Sequence, residues 1–320
     1  MQERICAGKR HRKYRKGHVQ GKGTEMEESM SLKCENIVKT YNKAEVLKNV
    51  NLEIEHGRIY GLIGRNGAGK TTLLSIMTAQ NPATSGTVTY DGMPVWENQE
   101  ALDHLCFSRE LNPVSSFGPN TMKIKEYLRI ASVFYPKWDR QMAKQLTEMF
   151  HLDVKKRISK ISKGMMTMVT VIVALASKAD ITIMDEPVAG LDVVAREQFY
   201  KLVLDEYANT GRTFIISTHI IEEAADVFEE VIILKDGTVL CKENTQELLE
   251  RSMHVSGSAE DVDAACAGLS MHHVKKMGRS KGVTVVLEPG QKLAEGYDVT
   301  VQPVSLQDLF LALCGEEAAV

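Results

Sequence analysis

An α/β fold is predicted, in which helices cover both faces of a largely parallel sheet. Three observations carry this reading. Short apolar runs at Ile181–Met184, Thr213–Ser217 and Val231–Leu234 read as fully buried strands. Helix-compatible segments around Val193–Ala208 and Ile220–Phe228 lie between them. The 320 residues, 43% hydrophobic and 25% charged, are ordinary globular material, enough for one large domain and an additional piece.

The elements follow in chain order. Val50, Leu52 and Ile54 alternate with polar residues, as in a half-buried strand. Arg58–Ile63 is a short strand-like run that ends on glycine, and Thr71–Met77 continues as a helix. Asp139–Phe150 places Met142, Leu146, Met149 and Phe150 on one helix face, with Asp139 at the N-cap position. Asp91-Gly92 and Asp236-Gly237 mark tight turns between strands, so antiparallel hairpins are also present. Beyond about residue 250, Val283–Leu287 and Val299–Val304 read as strands and Ser305–Cys314 as a short helix. Ser305 and Asp308 stand there at capping-box spacing. The expected organisation is a basic flexible tail over 1–30, a main domain over 31–250 and a small α+β extension over 251–320.

The net charge of −3 is uneven. Residues 1–22 carry eight Lys/Arg against one acid, so this segment is +7 and the remainder −10. An acidic body gives no reason to expect specific nucleic-acid binding. The tail reads as a solvated extension or the product of an upstream start site, with a tether to anionic lipid or nucleic acid as the alternative. The longest apolar stretch, around Met168–Ala176, is about half of the roughly 20 residues needed to span a bilayer. No apolar segment of the kind found in signal peptides follows the basic N-terminus. The six cysteines contain no CxxC and read as reduced thiols. His272-His273, a two-residue cluster without further ligands, is weak evidence for a metal.

Gly64-Arg65-Asn66-Gly67-Ala68-Gly69-Lys70-Thr71 matches GxxxxGK[ST] in full, between a predicted strand and a predicted helix. The glycines permit backbone conformations in which consecutive N–H groups turn inward on phosphate oxygens, and the helix N-terminus adds positive partial charge. Lys70 is placed to reach the β- and γ-phosphates, and the Thr71 hydroxyl to ligate Mg²⁺. Gly64, Asn66, Gly67, Ala68, Gly69, Lys70, Thr71 and the following Thr72 are the candidate phosphate-loop contacts. The run Ile181–Met184 leads into Asp185-Glu186. Acids at the C-terminal edge of a parallel strand stand where such sheets bind ligands. Asp185 is the candidate Mg²⁺ partner, and Glu186 the candidate base or orienting group for an attacking water.

These residues, over about Ser31–Glu250, resemble the ATPase subunit of ATP-binding cassette (ABC) transporters. The signature segment, LSGGQ in its commonest form, has its counterpart in Ile161-Ser162-Lys163-Gly164-Met165. Ser162 and Gly164 match, Lys163 and Met165 depart, and the SKGM form resembles exporter ATPases. The likeness implies that Ser162 and Gly164 of one subunit close over ATP held by another. Tyr41 takes the position of the adenine-stacking aromatic. Asp192, in Ala189-Gly190-Leu191-Asp192, resembles the loop that crosses the dimer interface. His219 matches the switch histidine at the γ-phosphate. Glu110 stands where the family has a glutamine, as a further Mg²⁺ or water ligand; a one-residue slip would put Arg109 there. The resemblance also implies a phosphate-loop NTPase fold with a mixed sheet, and a helical subdomain at about 111–165 that contacts membrane subunits.

The function so implied is ATP hydrolysis in a head-to-tail homodimer or heterodimer, with Glu186, His219 and Lys70 catalytic and ATP and Mg²⁺ bound. It would power transport, in the export direction, through separate transmembrane permease subunits at the cytoplasmic face of the cell membrane. The alternatives are a regulatory nucleotide-dependent clamp with little turnover and a soluble ABC ATPase that acts outside transport.

Overall fold

Apolar strands buried on both faces can only pair inside a layered structure. The computed structural model, which describes residues 31–111 and 121–315, arranges them in that way. The expected basic tail and residues 112–120 of the expected helical subdomain lie outside the described residues.

The chain opens with a long hairpin, β1 (Ser31–Tyr41) and β2 (Ala44–Glu55), followed by β3 (Ile59–Ile63) and α1 (Lys70–Met77). Next come β4 (Ser85–Tyr90), β5 (Met93–Pro94), α2 (Gln99–Leu102) and β6 (Leu105–Arg109). Helices α3 (Ile124–Phe134), α4 (Arg140–Met149) and α5 (Lys163–Ala176) lead to β7 (Ile181–Asp185). They are followed by α6 (Val193–Thr210), β8 (Thr213–Thr218), α7 (Ile221–Ala224), β9 (Glu230–Lys235), β10 (Thr238–Asn244) and α8 (Thr245–Glu250). The last part holds β11 (Ser252–Ser258), α9 (Ala259–Ala265), β12 (Met271–Met277), β13 (Ser280–Val286), β14 (Val299–Pro303) and α10 (Leu306–Cys314).

The central sheet runs in the order β10-β9-β3-β8-β7-β6. Its strands are parallel except for β10, which returns antiparallel to β9 through the Asp236-Gly237 turn. Every residue of β3, β7 and β8 is buried, which accounts for their unbroken apolar runs. One face packs on α1 and the β2-β1-β4-β5 sheet, the other on α5, α6 and α7. The apolar segment at Met168–Ala176 is thus the buried helix of a layered domain. Among the described residues, no helix is long and apolar enough to cross a membrane. Their five cysteines are free thiols.

The structure differs from expectation at several places. The helix expected over Ile220–Phe228 is a single α-turn followed by a 3₁₀ turn at Ala225–Val227. The chain straightens at Phe228 because its ring lies over Gly61, where a Cβ would come within 2.2 Å of it. Met149, expected on the buried face of α4, is 44% exposed, and Ala143 takes part in the packing with Leu146. Asp139 does cap α4, accepting from the Met142 N–H at 2.9 Å. The C-terminal sheet, β12-β13-β11-β14, has its own small core of Val255, Val262, Cys266, Val283 and Val285. Helix α10 leaves that core. Leu306, Leu309 and Cys314 pack with Ile221, Phe228 and Leu248 in the core of the larger sheet, and Lys235 Nζ donates to the Leu313 carbonyl at 2.9 Å.

Gly237 is a joint between three segments. Its φ is +83°, and a Cβ there would stand 2.3 Å from the Val46 carbonyl oxygen. Its N–H donates to the Ala68 carbonyl and its own carbonyl accepts from the Lys48 N–H. Both the left-handed conformation and the backbone obstruction oppose a side chain. We expect Gly237→Ala to lower stability by about 2–4 kcal/mol, read as a shifted urea midpoint at unchanged slope.

Candidate active site

Strand order decides what meets at the C-terminal edge of the sheet. Strand β8 lies between β3 and β7, and β6 flanks β7. The phosphate loop that leaves β3, His219 after β8, Asp185-Glu186 at the end of β7 and Arg109-Glu110 at the end of β6 are therefore neighbours. Register agrees, since Ile63 pairs with Thr218, Ser217 with Asp185 and Asp185 with Arg109.

Gly67 and Gly69 have φ values of +84° and +104°, which turn the loop into the first turn of α1. Gly64 has no room for a side chain, because a Cβ would lie 2.6 Å from the Leu234 carbonyl oxygen. Asn66 is exposed and Ala68 is buried. Lys70 Nζ donates to the Gly64 carbonyl at 2.7 Å. Burial pushes its ammonium below the ordinary value, against Glu186 and Asp185, whose charges pull the other way. Thr72 is half-buried on the next position of α1. Tyr41 stands at the tip of the β1–β2 hairpin, whose Val46 and Leu47 abut Gly69. The residue is 43% exposed, its hydroxyl accepts from Asn81, and the Lys39 ammonium sits 4.8 Å from the ring centroid.

Thr71 Oγ1 donates to Asp185 Oδ2 at 2.7 Å, and Ser217 Oγ donates to Asp185 Oδ1 at 2.5 Å. Ser217 also accepts from the Glu186 N–H, through its carbonyl and its hydroxyl, each at 3.1 Å. Glu186 has a φ of +52°, a conformation that non-glycine residues adopt at a cost of about 1–3 kcal/mol. The turn aims its carboxylate across the strand ends, where Oε2 is 2.7 Å from His219 Nδ1. A carboxylate only accepts, so Nδ1 carries the hydrogen. The Thr71 hydroxyl and the Asp185 carboxylate make a hard-oxygen donor set at the mouth of the phosphate loop, which suits magnesium.

The remaining predicted residues form a second group. Ser162 caps α5, its hydroxyl accepting from the Met165 N–H at 3.2 Å, and Asp192 caps α6 through the Ala195 N–H at 2.9 Å. Gly164 lies against the loop between β7 and α6, where a Cβ would come within 2.8 Å of the Gly190 carbonyl oxygen. Thr167 Oγ1 donates to the Ala189 carbonyl of that loop at 2.8 Å. Glu110 joins this group and not the Thr71–Asp185 pair: its Oε1 is 3.0 Å from Lys163 Nζ. Burial pushes the Tyr127 phenol of α3 up, and the charge of the exposed Arg109 at the end of β6 opposes this in part.

Two contributors were missed in the sequence. Ser217 holds both carboxylate residues, and its only signal is a hydroxyl beside Thr218 at the end of an apolar strand. Lys163 was noted as a departure from the usual signature, with no hint of its partner 53 positions earlier.

A phosphate loop that runs from a central parallel strand into a helix, with two carboxylates and a histidine at adjacent strand ends, defines a nucleoside-triphosphate-hydrolysing α/β protein. Comparison with known proteins narrows the class. The sequence model of the family described as "ABC transporter" matches residues 47–189. The chain is 33% identical over 186 residues to the putative ABC transporter ATP-binding protein AlbC of Bacillus subtilis, covering 55% of this chain and 76% of that protein. It is 28% identical over 302 residues to the Nod factor export ATP-binding protein I of Cupriavidus metallidurans, covering 89% of this chain and 98% of that one. Among solved structures, a dimeric ATP-binding cassette in a post-hydrolysis state with ADP and Pi superposes with a TM-score of 0.58. It is 25% identical and matches 67% of this chain and 98% of that chain. The chain belongs to the ABC transporter family and is its ATP-binding ATPase subunit.

Proposed function

We propose that two cassettes, two copies of this chain or this chain and a paralogue, close head to tail on two ATP molecules and drive separate membrane permease subunits. The convergence of Lys70, Asp185, Glu186 and His219 at the ends of three adjacent strands carries this reading. Backbone N–H groups of Gly67, Ala68 and Gly69 cradle the phosphates beside Gly64, Asn66 and Thr72, and Lys70 neutralises the β- and γ-oxygens. Thr71 and Asp185 would hold magnesium, while Glu110, engaged by Lys163, stands apart from that donor pair. When bound, the ion neutralises charge on the phosphate oxygens. Glu186 accepts the proton of the attacking water, and His219 orients its carboxylate and faces the γ-phosphate. Tyr41 stacks on adenine. Ser162, Gly164 and Asp192 serve the ATP held by the opposite cassette.

Export is the proposed direction, supported by the SKGM signature and by the name of the Nod factor export relative. Association with the cytoplasmic face of the membrane then follows through the permease. Chelation of magnesium with EDTA is expected to reduce ATP turnover to background, and excess magnesium to restore it. Turnover that survives chelation would remove Thr71 and Asp185 from these roles. Copurification from detergent-solubilised membranes is expected to recover a multispanning protein.

A further inference from the structure

The Glu110–Lys163 pair joins the two positions at which this chain departs most from its family's motifs. Glu110 is the first residue beyond β6, next to the registered pair Arg109–Asp185, and Asp185 in turn accepts from Thr71 of the phosphate loop. Position 110 thus brings a third carboxylate to an edge that already holds Asp185 and Glu186. On the reading that this edge receives ATP, an uncompensated charge there opposes the triphosphate.

Lys163 supplies the compensation from another element. It is the first residue of α5, and the first turn of that helix has no acidic residue of its own. A cation is unfavourable at a helix N-terminus and an anion favourable. Glu110 provides the anion, at 3.0 Å from the ammonium. The lysine stem is seated as well as paired, for its Cγ and Cδ would lie 2.9 and 3.1 Å from a Cβ on Gly190. Ser108, two residues before Glu110, adds a further link to the same helix, its hydroxyl donating to the Thr170 carbonyl at 2.9 Å.

We propose that Glu110 and Lys163 work as one charge-compensating positioning pair. Lys163 cancels the carboxylate at the β6 end so that the triphosphate is not repelled, and Glu110 holds the start of the signature helix against the strand edge. The glutamine-to-glutamate and glycine-to-lysine departures are then a single coupled change. The proposal rests on the reading that ATP binds at residues 64–72.

A double-mutant cycle tests it, with KM for ATP, kcat and Tm measured on the wild type, Lys163→Gln, Glu110→Gln and the double variant. Lys163→Gln leaves Glu110 uncompensated and is expected to raise KM about fivefold, the upper end for a half-exposed ion pair. Glu110→Gln is expected to leave KM within about twofold, and the double variant to return it to that level. Both side chains are about half exposed, so all four proteins should melt within a few degrees of one another. A purely structural pair would move Tm and leave KM alone, which overturns the proposal. An equal rise in KM from Lys163→Gln in both backgrounds also overturns it, because the lysine then acts without Glu110. Absence of an ATP-induced rise in Tm in the wild type removes the binding reading itself, and the proposal with it.

Discussion

Glu186→Gln is expected to lower ATP turnover by about 10²–10⁴-fold while nucleotide binding persists. The amide keeps the size of the carboxylate and accepts a hydrogen bond from His219 Nδ1 through its oxygen, so the 2.7 Å contact across the strand ends has a replacement. It cannot take a proton from water. The backbone turn at φ +52° belongs to the Ser217 hydrogen bonds, which the substitution does not touch. Catalysis and architecture are thus separable at this residue. In size-exclusion chromatography with Mg²⁺ and ATP, the variant is expected to accumulate as a closed dimer, because bound ATP is no longer spent. Turnover close to wild type would remove Glu186 from the base role.

The second large effect is expected at Lys70. Its ammonium is buried and held below its ordinary pKa by desolvation, with Asp185 and Glu186 compensating in part. Without nucleotide it is therefore a weak contributor to stability, and its main partner is the Gly64 carbonyl. Lys70→Ala should leave Tm in buffer within a few degrees of wild type. The nucleotide response should disappear. At ATP about 100-fold above Kd, ligand binding adds about 2.7 kcal/mol to the wild type, which a thermal shift detects readily. Turnover should fall by at least about 10²–10³-fold, the usual loss when a preorganised charge is removed from a transition state. An undiminished thermal shift with ATP would show that the phosphates are held elsewhere.

The parts of this molecule that were legible in the sequence share a property: each is encoded over a short stretch. Buried parallel strands announce themselves as apolar runs, so β7, β8 and β9 were located to within a residue or two. The phosphate loop and the acidic strand end are contiguous motifs. The Asp-Gly turns carry their signal in two residues, both at positive φ. What escaped depends on juxtaposition. Helix α7 was read too long because Gly61, distant in sequence, lets Phe228 pack where a helix would have continued. Glu110 and Lys163 are both polar departures when read singly, and only the α5–β6 contact makes them a pair. The destination of α10 had no local signal, since apolar residues at helical spacing state that a face is buried without naming its partner.

That destination bears on how the protein is made. Ile59, Phe228 and Leu248 share a core with Leu306 and Leu309, which the ribosome adds dozens of residues later. During synthesis the elements around α7 and α8 emerge with one seam of their interior still open, and the helix that seals it is made after them. The nascent cassette therefore presents apolar surface around α7 and α8 until α10 arrives, the interval in which chaperones and self-association compete for an unfinished chain.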